Sequence, residues 1–378
     1  MRHPQTVGQA SRLSERYFQI RVKNKKRIDV NSIDKILIRS TNWIGDVILT
    51  FPAIATIRKN FPRSYIAILS RPWVAPLLEN NPDVDEVIIY EHNGIHNGVL
   101  GRLRLAKALR EKRFDLAVLL QNAFDAALIA LLAGIPIRAG YNSDMRGHLL
   151  TNKVILDKTV LGKHQVYYYL EMLKALGMDI VDEDPLVKVS DEARKRATEI
   201  LGPLNIQNGE LLVGINPGAY FGSAKRWLPE RYALLSDMIH KDFRGKILLF
   251  GSKEEKVISE MILGIANSDV IDLAGKTSLL ETMALIEKCS LFITNDSGLM
   301  HLAAALKIPL IAIFGSTDPV TTSPLGTSSI IIRKKVPCSP CLKRECPTDH
   351  QCMRLIEVGE VYEHARQILT DRVVIRSC

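Results

Sequence analysis

The sequence predicts an α/β fold with two doubly wound parallel sheets, one in each half of the chain. Short apolar, partly β-branched runs alternate with segments of helical periodicity from Lys35 to Phe314, the pattern of successive βαβ units. The 378 residues also exceed what one ordinary hydrophobic core organises, so two domains are expected. The boundaries read as a basic arm over residues 1–30, a first domain over 31–190, a connection over 191–210, a second domain over 211–355, and a C-terminal helix and tail over 356–378.

In the first half, Lys35–Ser40, Tyr65–Ser70, Val87–Tyr90, Asp115–Leu120 and Ile137–Tyr141 read as strands. Between them, Val47–Asn60 reads as one helix with Pro52 inside its first turns, and Val74–Asn80, Gly101–Arg113 and Ala123–Ala133 as further helices. Thr41-Asn-Trp-Ile-Gly-Asp46 joins the first strand to its helix. Gly45 allows a close backbone approach there, and Asp46 stands at the helix start facing the crevice; a simple N-cap role for Asp46 is the competing reading. Asp83-Val-Asp85 falls in a Pro-Asp turn and is assigned to that turn rather than to a metal. The helix Gly101–Arg113 carries Arg102, Arg104, Lys107, Arg110, Lys112 and Arg113. Its basic face suits an anionic acceptor or lipid headgroups, or is an ordinary solvated face.

After the helix His164–Leu176 and a polar stretch, the pattern restarts with the strand Leu211–Asn216. The loop from Pro217 to Trp227 holds glycines and ends in Lys225-Arg226. Backbone N–H groups and a lysine point charge suit a diphosphate, and Trp227 is expected to pack under the loop. Lys246–Phe250 is a strand followed by Glu254 and Glu255; a carboxylate there accepts from ribose hydroxyls or favours the helix start electrostatically. Val270–Leu273 is another strand, and Leu279–Cys289 a helix. Strand Leu291–Thr294, the turn Asn295-Asp-Ser-Gly298, helix Leu299–Leu306 and strand Leu310–Phe314 complete the unit. The helix start lies at the carboxyl end of a strand, where open α/β sheets bind ligands and a helix N-terminus favours phosphate. Ser297 and His301 share one face of the first turn; each residue alone also reads as a cap or a structural histidine.

Composition is that of a globular protein, 47% hydrophobic and 24% charged. No apolar run is long enough to span a bilayer and no secretion signal is legible, so a cytoplasmic chain is expected. The net charge of +9 points to an anionic partner, or to an excess of solvated lysines. Residues 338–352 contain Cys338, Cys341, Cys346, His350 and Cys352. Thiolates and imidazole at this spacing suit a structural Zn²⁺, although the two pairs lie closer than usual. A reduced loop-packing cluster and a redox-sensitive pair are the alternatives. After it, Val358–Leu369 reads as a helix placed to return and brace the first domain.

Taken together, N-W-I-G-D46, N-P-G-A-Y-F-G-S-A-K225-R-W, T-N-D296-S-G-L-M-H301, F-G-S-T-D-P and the C-x-x-C…H-x-C-M tail resemble the lipopolysaccharide heptosyltransferases of glycosyltransferase family 9, especially their type II branch. The resemblance covers roughly residues 35–370. It implies the GT-B architecture, two Rossmann-like domains facing a central cleft. It implies an ADP-heptose donor, a lipopolysaccharide inner-core acceptor, inversion at the anomeric carbon, no cofactor in catalysis, and peripheral contact with the cytoplasmic face of the inner membrane. Carried over by motif, Asp46 is the catalytic base, with Asn42 and Gly45 on the acceptor-side loop. Ser223, Lys225, Asp296, Ser297, Gly298 and His301 line the donor site, with Glu255 in preference to Glu254 at the ribose.

Two other classes are weighed against this. A nucleic-acid-binding protein would use the basic charge and a zinc module, but the sequence holds no basic platform interleaved with aromatics, and no nucleic-acid partner is expected. A Rossmann-type epimerase needs Gly-x-Gly-x-x-Gly after the first strand, where this chain has Asn-Trp-Ile-Gly-Asp.

Overall fold

Two sheets carry the chain in the computed structural model, which describes residues 22–23, 28–204, 206, 210–326 and 329–377. The expected basic arm therefore falls almost entirely outside the described residues. The first sheet holds β1 (Val22–Lys23), β2 (Lys35–Arg39), β3 (Tyr65–Ser70), β4 (Glu86–Ile89), β5 (Leu116–Leu119), β6 (Ile137–Tyr141) and β7 (Asn152–Val154). Its order is β1-β7-β6-β5-β2-β3-β4, parallel throughout except for β1 against β7. The second sheet holds β8 (Leu212–Asn216), β9 (Lys246–Leu249), β10 (Val270–Asp272), β11 (Leu291–Asn295), β12 (Leu310–Phe314) and β13 (Ser329–Arg333). Its order is β10-β9-β8-β11-β12-β13, all parallel.

Every residue of β8, β11 and β12 is buried. This is why these runs are continuously apolar rather than alternating: helices cover both faces of the sheet. Each fully buried Ile or Leu there contributes about 1.5–3 kcal/mol of hydrophobic stabilisation. Strand order reverses between β2 and β5 in one sheet and between β8 and β11 in the other. Those reversals open the crevices in which such sheets bind ligands, and the loops after β2, β8 and β11 carry three of the sequence motifs.

The expected single helix Val47–Asn60 is two helices, Ile44–Leu49 and Phe51–Asn60, broken at Thr50. Pro52 lies in the first turn of the second, where its missing N–H leaves no intrahelical bond unmade. The short strands β7 and β13 have no counterpart among the expected strands; β7 has too few residues to show a period.

The crossing between domains comes earlier than the expected 191–210. The Asp179 amide still donates to Asn60 of the first domain at 2.9 Å, while the Val187 amide already donates to the Ala305 carbonyl of the second at 3.1 Å. The helix Asp191–Leu201 packs on the helix Leu279–Glu287, with Arg194 bridging Glu287 at 2.8 Å. Among the described residues the C-terminal helix, Val358–Ser377, packs mainly on the second domain. Val361, Tyr362, Ala365 and Leu369 join the core of the second domain, against the helix Pro229–Phe243, because its apolar stripe matches that helix. Among the described residues no helix is long and apolar enough to cross a membrane.

Candidate active site

The two domains meet where the helix Ile44–Leu49 abuts the helix Gly298–Ala305. Glycines make this approach possible. A Cβ on Gly45 would lie 2.7 Å from His301 Cδ2, and one on Gly298 would lie 3.0 Å from Ile44 Cβ. Two helix N-termini, each following the carboxyl end of a central strand, therefore share one cleft, and both present unpaired backbone amides. Outside this contact Trp43 of the first domain and Tyr220 of the second pair their rings at 4.7 Å.

Asp46 sits in the first turn of its helix, half-buried. Its Oδ1 accepts a hydrogen bond from Gln165 Nε2 at 3.0 Å. Burial raises its carboxyl above the ordinary value, opposed by the Gln165 hydrogen bond and the Lys225 charge, with the Asp296 charge adding to the rise. A first-domain carboxylate thus responds to two second-domain charges, and its raised pKa makes it a better base than a free aspartate. Trp43, not Asp46, occupies the N-cap position, so the capping reading of Asp46 does not hold.

Across the cleft, Lys225 Nζ lies 2.6 Å from Asp296 Oδ2, and Thr317 Oγ1 donates to the same oxygen at 2.6 Å. Lys225 closes the short turn Ser223–Lys225 after β8, and its ammonium also stands 4.9 Å from the Phe221 ring centroid. Gly222, at φ 155°, is tight against the Arg344 carbonyl, a conformation and a closeness that only glycine accepts. Ser297 caps the helix: its Oγ accepts from the Met300 amide at 3.4 Å and from Asn216 Nδ2 at 3.2 Å. Its side chain serves the helix. His301 is buried, which pushes its imidazole down to about 4 against the pull of Asp296. It is neutral at pH 7 and fills the contact with Gly45.

Glu255 and Glu254 separate clearly. Glu255 Oε2 accepts from the Ser252 amide at 2.9 Å. Its carboxylate lies against Gly218 of the loop after β8, in the space that a side chain at position 218 would occupy. Glu254 is exposed. Asn42 spends its side chain within the first domain: Oδ1 accepts from Arg39 Nη2 at 3.1 Å and Arg71 Nε at 3.3 Å.

Sequence reasoning missed several residues that hold this geometry. Fully buried Asn295 accepts from the Trp227 amide at 3.0 Å and the Tyr232 hydroxyl at 2.9 Å, and donates to the Pro217 carbonyl at 2.7 Å. It ties the loop after β8 to the end of β11. Gln165 lies 119 positions from Asp46, and no local pattern marks it. Thr317 stands inside the F-G-S-T-D-P motif, which is its one signal. Trp227 packs under the loop as expected, with its indole N–H on the Ile356 carbonyl at 3.1 Å.

The cysteine segment is a brace. The Ala224 amide donates to the Arg344 carbonyl at 3.0 Å, Arg344 Nε to the Phe221 carbonyl at 2.8 Å, and the Leu342 amide to the Ser316 carbonyl at 2.8 Å. These bonds join the Lys225 loop to the Thr317 loop. Cys338, Cys341, Cys346 and Cys352 are free and line one cavity of about 60 Å³ together with His350. Among the described residues no group of three or more His, Cys, Asp or Glu is arranged to hold a metal ion. Burial and the neighbouring Cys338, Cys346 and Cys341 raise the Cys352 thiol, so the four thiols lie close enough to interact, although the zinc set expected from spacing is not shown.

Two Rossmann-like domains facing one cleft, with a buried ion pair and a helix terminus on one side and a carboxylate on the other, define a GT-B glycosyltransferase. Residues 102–351 match the glycosyltransferase family 9 (heptosyltransferase) model, and the chain belongs to that family. It is 34% identical over 313 residues to lipopolysaccharide heptosyltransferase 2 of Salmonella typhimurium, covering 79% of this chain and 88% of that one. It is 30% identical over 347 residues to lipooligosaccharide heptosyltransferase 2 of Campylobacter jejuni, covering 89% and 98%. Among solved structures, Escherichia coli ADP-heptose lipopolysaccharide heptosyltransferase II superposes with a TM-score of 0.77 at 31% identity, covering 89% of this chain and 99% of that one. A family 9 glycosyltransferase from Veillonella parvula gives 0.81 at 25% identity, covering 92% and 100%.

Proposed function

We propose that this heptosyltransferase is of the second type and moves heptose, with inversion, from ADP-L-glycero-D-manno-heptose to the heptosyl-Kdo-lipid A inner core of lipopolysaccharide. The observation that carries the reading is the meeting of Asp46 with Lys225 and Asp296 across the contact of Gly45 with His301 and Gly298. Asp46 takes the proton of the acceptor hydroxyl as that oxygen attacks the anomeric carbon. The bond from that carbon to the diphosphate breaks on the opposite face, and its electron pair goes to the departing ADP. Lys225 and the first-turn amides at Gly298 stabilise the charge that develops there. Glu255 takes the ribose hydroxyls, and Ser223 belongs to the turn that presents Lys225. This chemistry needs no cofactor and no metal. A structural Zn²⁺ among Cys338, Cys341, Cys346 and Cys352 is a separate question, answered by elemental analysis of the purified chain. The acceptor is anchored in a membrane, so the enzyme works as a peripheral protein on the cytoplasmic face of the inner membrane.

The test is ADP release from ADP-heptose with a Kdo₂–lipid A acceptor bearing one heptose, in the presence of EDTA. Acceptor-dependent turnover that EDTA spares and Asp46→Ala abolishes supports the reading. Turnover only on an acceptor with no heptose, or only on one with two, reassigns the chain to another heptosyltransferase type. Absence of ADP-heptose binding refutes it.

A further inference from the structure

The helix Gly98–Lys112 buries Gly101, Leu105, Ala106 and Leu109 against the first domain. At about 100° per residue, the opposite face carries Val99, Leu100 and Leu103, followed by Arg104, Lys107 and Arg110. A surface helix ordinarily turns its polar face outward. Here Val99 is 70% exposed, Leu100 80% and Leu103 45%, with Ile95 of the preceding loop at 56%. Grouped exposure of this kind marks an interaction surface rather than scattered apolar residues.

The cations beside this patch keep their charge unneutralised, although Arg104 Nη1 donates to the Ile95 carbonyl at 3.2 Å and Arg110 Nη2 to the Leu132 carbonyl at 2.5 Å. Arg102 is engaged by Asp125 at 2.6 Å and Lys112 by Glu86 at 2.7 Å. Among the described residues Arg104, Lys107 and Arg110 take part in no ion pair; one acid, Glu111, shares their face. The patch also has a definite place. Its loop follows β4, the edge strand, at the carboxyl end of the sheet, the same end as Asp46.

We propose that this face docks on an anionic phospholipid surface, a proposal that rests on the reading of the acceptor as membrane-anchored. Ile95, Val99, Leu100 and Leu103 enter the boundary between headgroups and acyl chains, and Arg104, Lys107 and Arg110 pair with lipid phosphates. Docking there holds the acceptor side of the cleft against the bilayer from which the substrate rises. A second copy of the chain is a poorer occupant: a two-fold contact sets each patch against itself, cation beside cation, on a chain of net charge +9.

The experiment is cosedimentation of the full chain with phosphatidylcholine vesicles, with and without phosphatidylglycerol. Wild type is expected to sediment with the anionic vesicles. Val99→Glu with Leu100→Glu is expected to weaken binding by about tenfold or more. Lys107→Gln and Arg110→Gln are each expected to weaken it about fivefold, with a smaller effect at high salt. Neither pair touches the cleft, so turnover on a delipidated, soluble acceptor stays at the wild-type level. That turnover judges the proposed function, whereas sedimentation judges the docking face. The proposal is overturned if wild type stays in the supernatant or if the glutamate pair sediments like wild type, as binding through the N-terminal arm alone would give. It is also overturned if inorganic phosphate displaces the protein from vesicles at an ionic strength at which chloride does not, which reassigns the cations to free phosphate. Light scattering that shows a dimer dissolved by the glutamate pair assigns the face to a second copy.

Discussion

Lys225 Nζ stands 2.6 Å from Asp296 Oδ2, with side chains only 13% and 5% exposed. The Lys225 ammonium is thus held in place by a buried carboxylate. Asp296 positions Lys225, and Thr317 satisfies the same oxygen. Removing one partner of such a pair leaves an uncompensated buried charge. Lys225→Ala is expected to lower unfolding free energy by about 3 kcal/mol in urea denaturation. It should also weaken ADP binding by calorimetry, whereas Thr317→Val should weaken it less.

Asp46 carries a cost to stability. Its folded pKa lies above the unfolded value, so the stability it contributes is full below the unfolded pKa and is lost as pH rises through the folded one. At neutral pH its charge opposes folding. Asp46→Asn is expected to abolish acceptor-dependent ADP release while raising the Tm, a trade of stability for activity. A fall in Tm would contradict this.

Gln165 stabilises the charged form of Asp46 through its hydrogen bond. Gln165→Leu removes that bond and raises the carboxyl pKa further. The acidic limb of the kcat/KM profile is therefore expected to move to higher pH, with ADP affinity unchanged. A limb that does not move would mean that another group titrates there.

His301 is held near 4 by burial, below its unfolded value. Its contribution to stability is present above the unfolded pKa and is lost as pH falls from about 6.5 toward 4, amounting to about 3 kcal/mol over that window. His301→Gln should flatten the dependence of Tm on pH in that range.

Gly45 is where the two domains come closest. Gly45→Ala sets a methyl against the buried His301 ring, and overpacking of this kind costs about 1–3 kcal/mol. Lower kcat with little change in ADP affinity is expected, because the methyl parts the base from the donor without touching the donor loop.

Most of the fold is legible in the sequence. The runs that form β2, β3, β8, β11 and β12 are long and apolar enough to declare themselves, and their order with intervening helices fixes a parallel sheet. The departures have specific causes. The helical periodicity around Pro52 runs on across Thr50, and the break there has no composition of its own. Among the described residues the C-terminal helix packs mainly on the second domain, since an apolar stripe states that a helix packs, not against what. Spacing along the chain brought the four cysteines and His350 to one cavity, but a metal-holding group is not shown among the described residues.

The amino-acid order by itself determined the family motifs, the strand–turn–helix units and the residues at their strand ends, because those depend on local periodicity and turn chemistry. Only the tertiary structure decided that Asp296 is the ion-pair partner of Lys225, that Gln165 orients Asp46, and that Gly45 and Gly298 face one another. Each of these pairs brings together residues far apart in the chain, on different elements. Their proximity is set by how two cores pack, which no window of sequence contains.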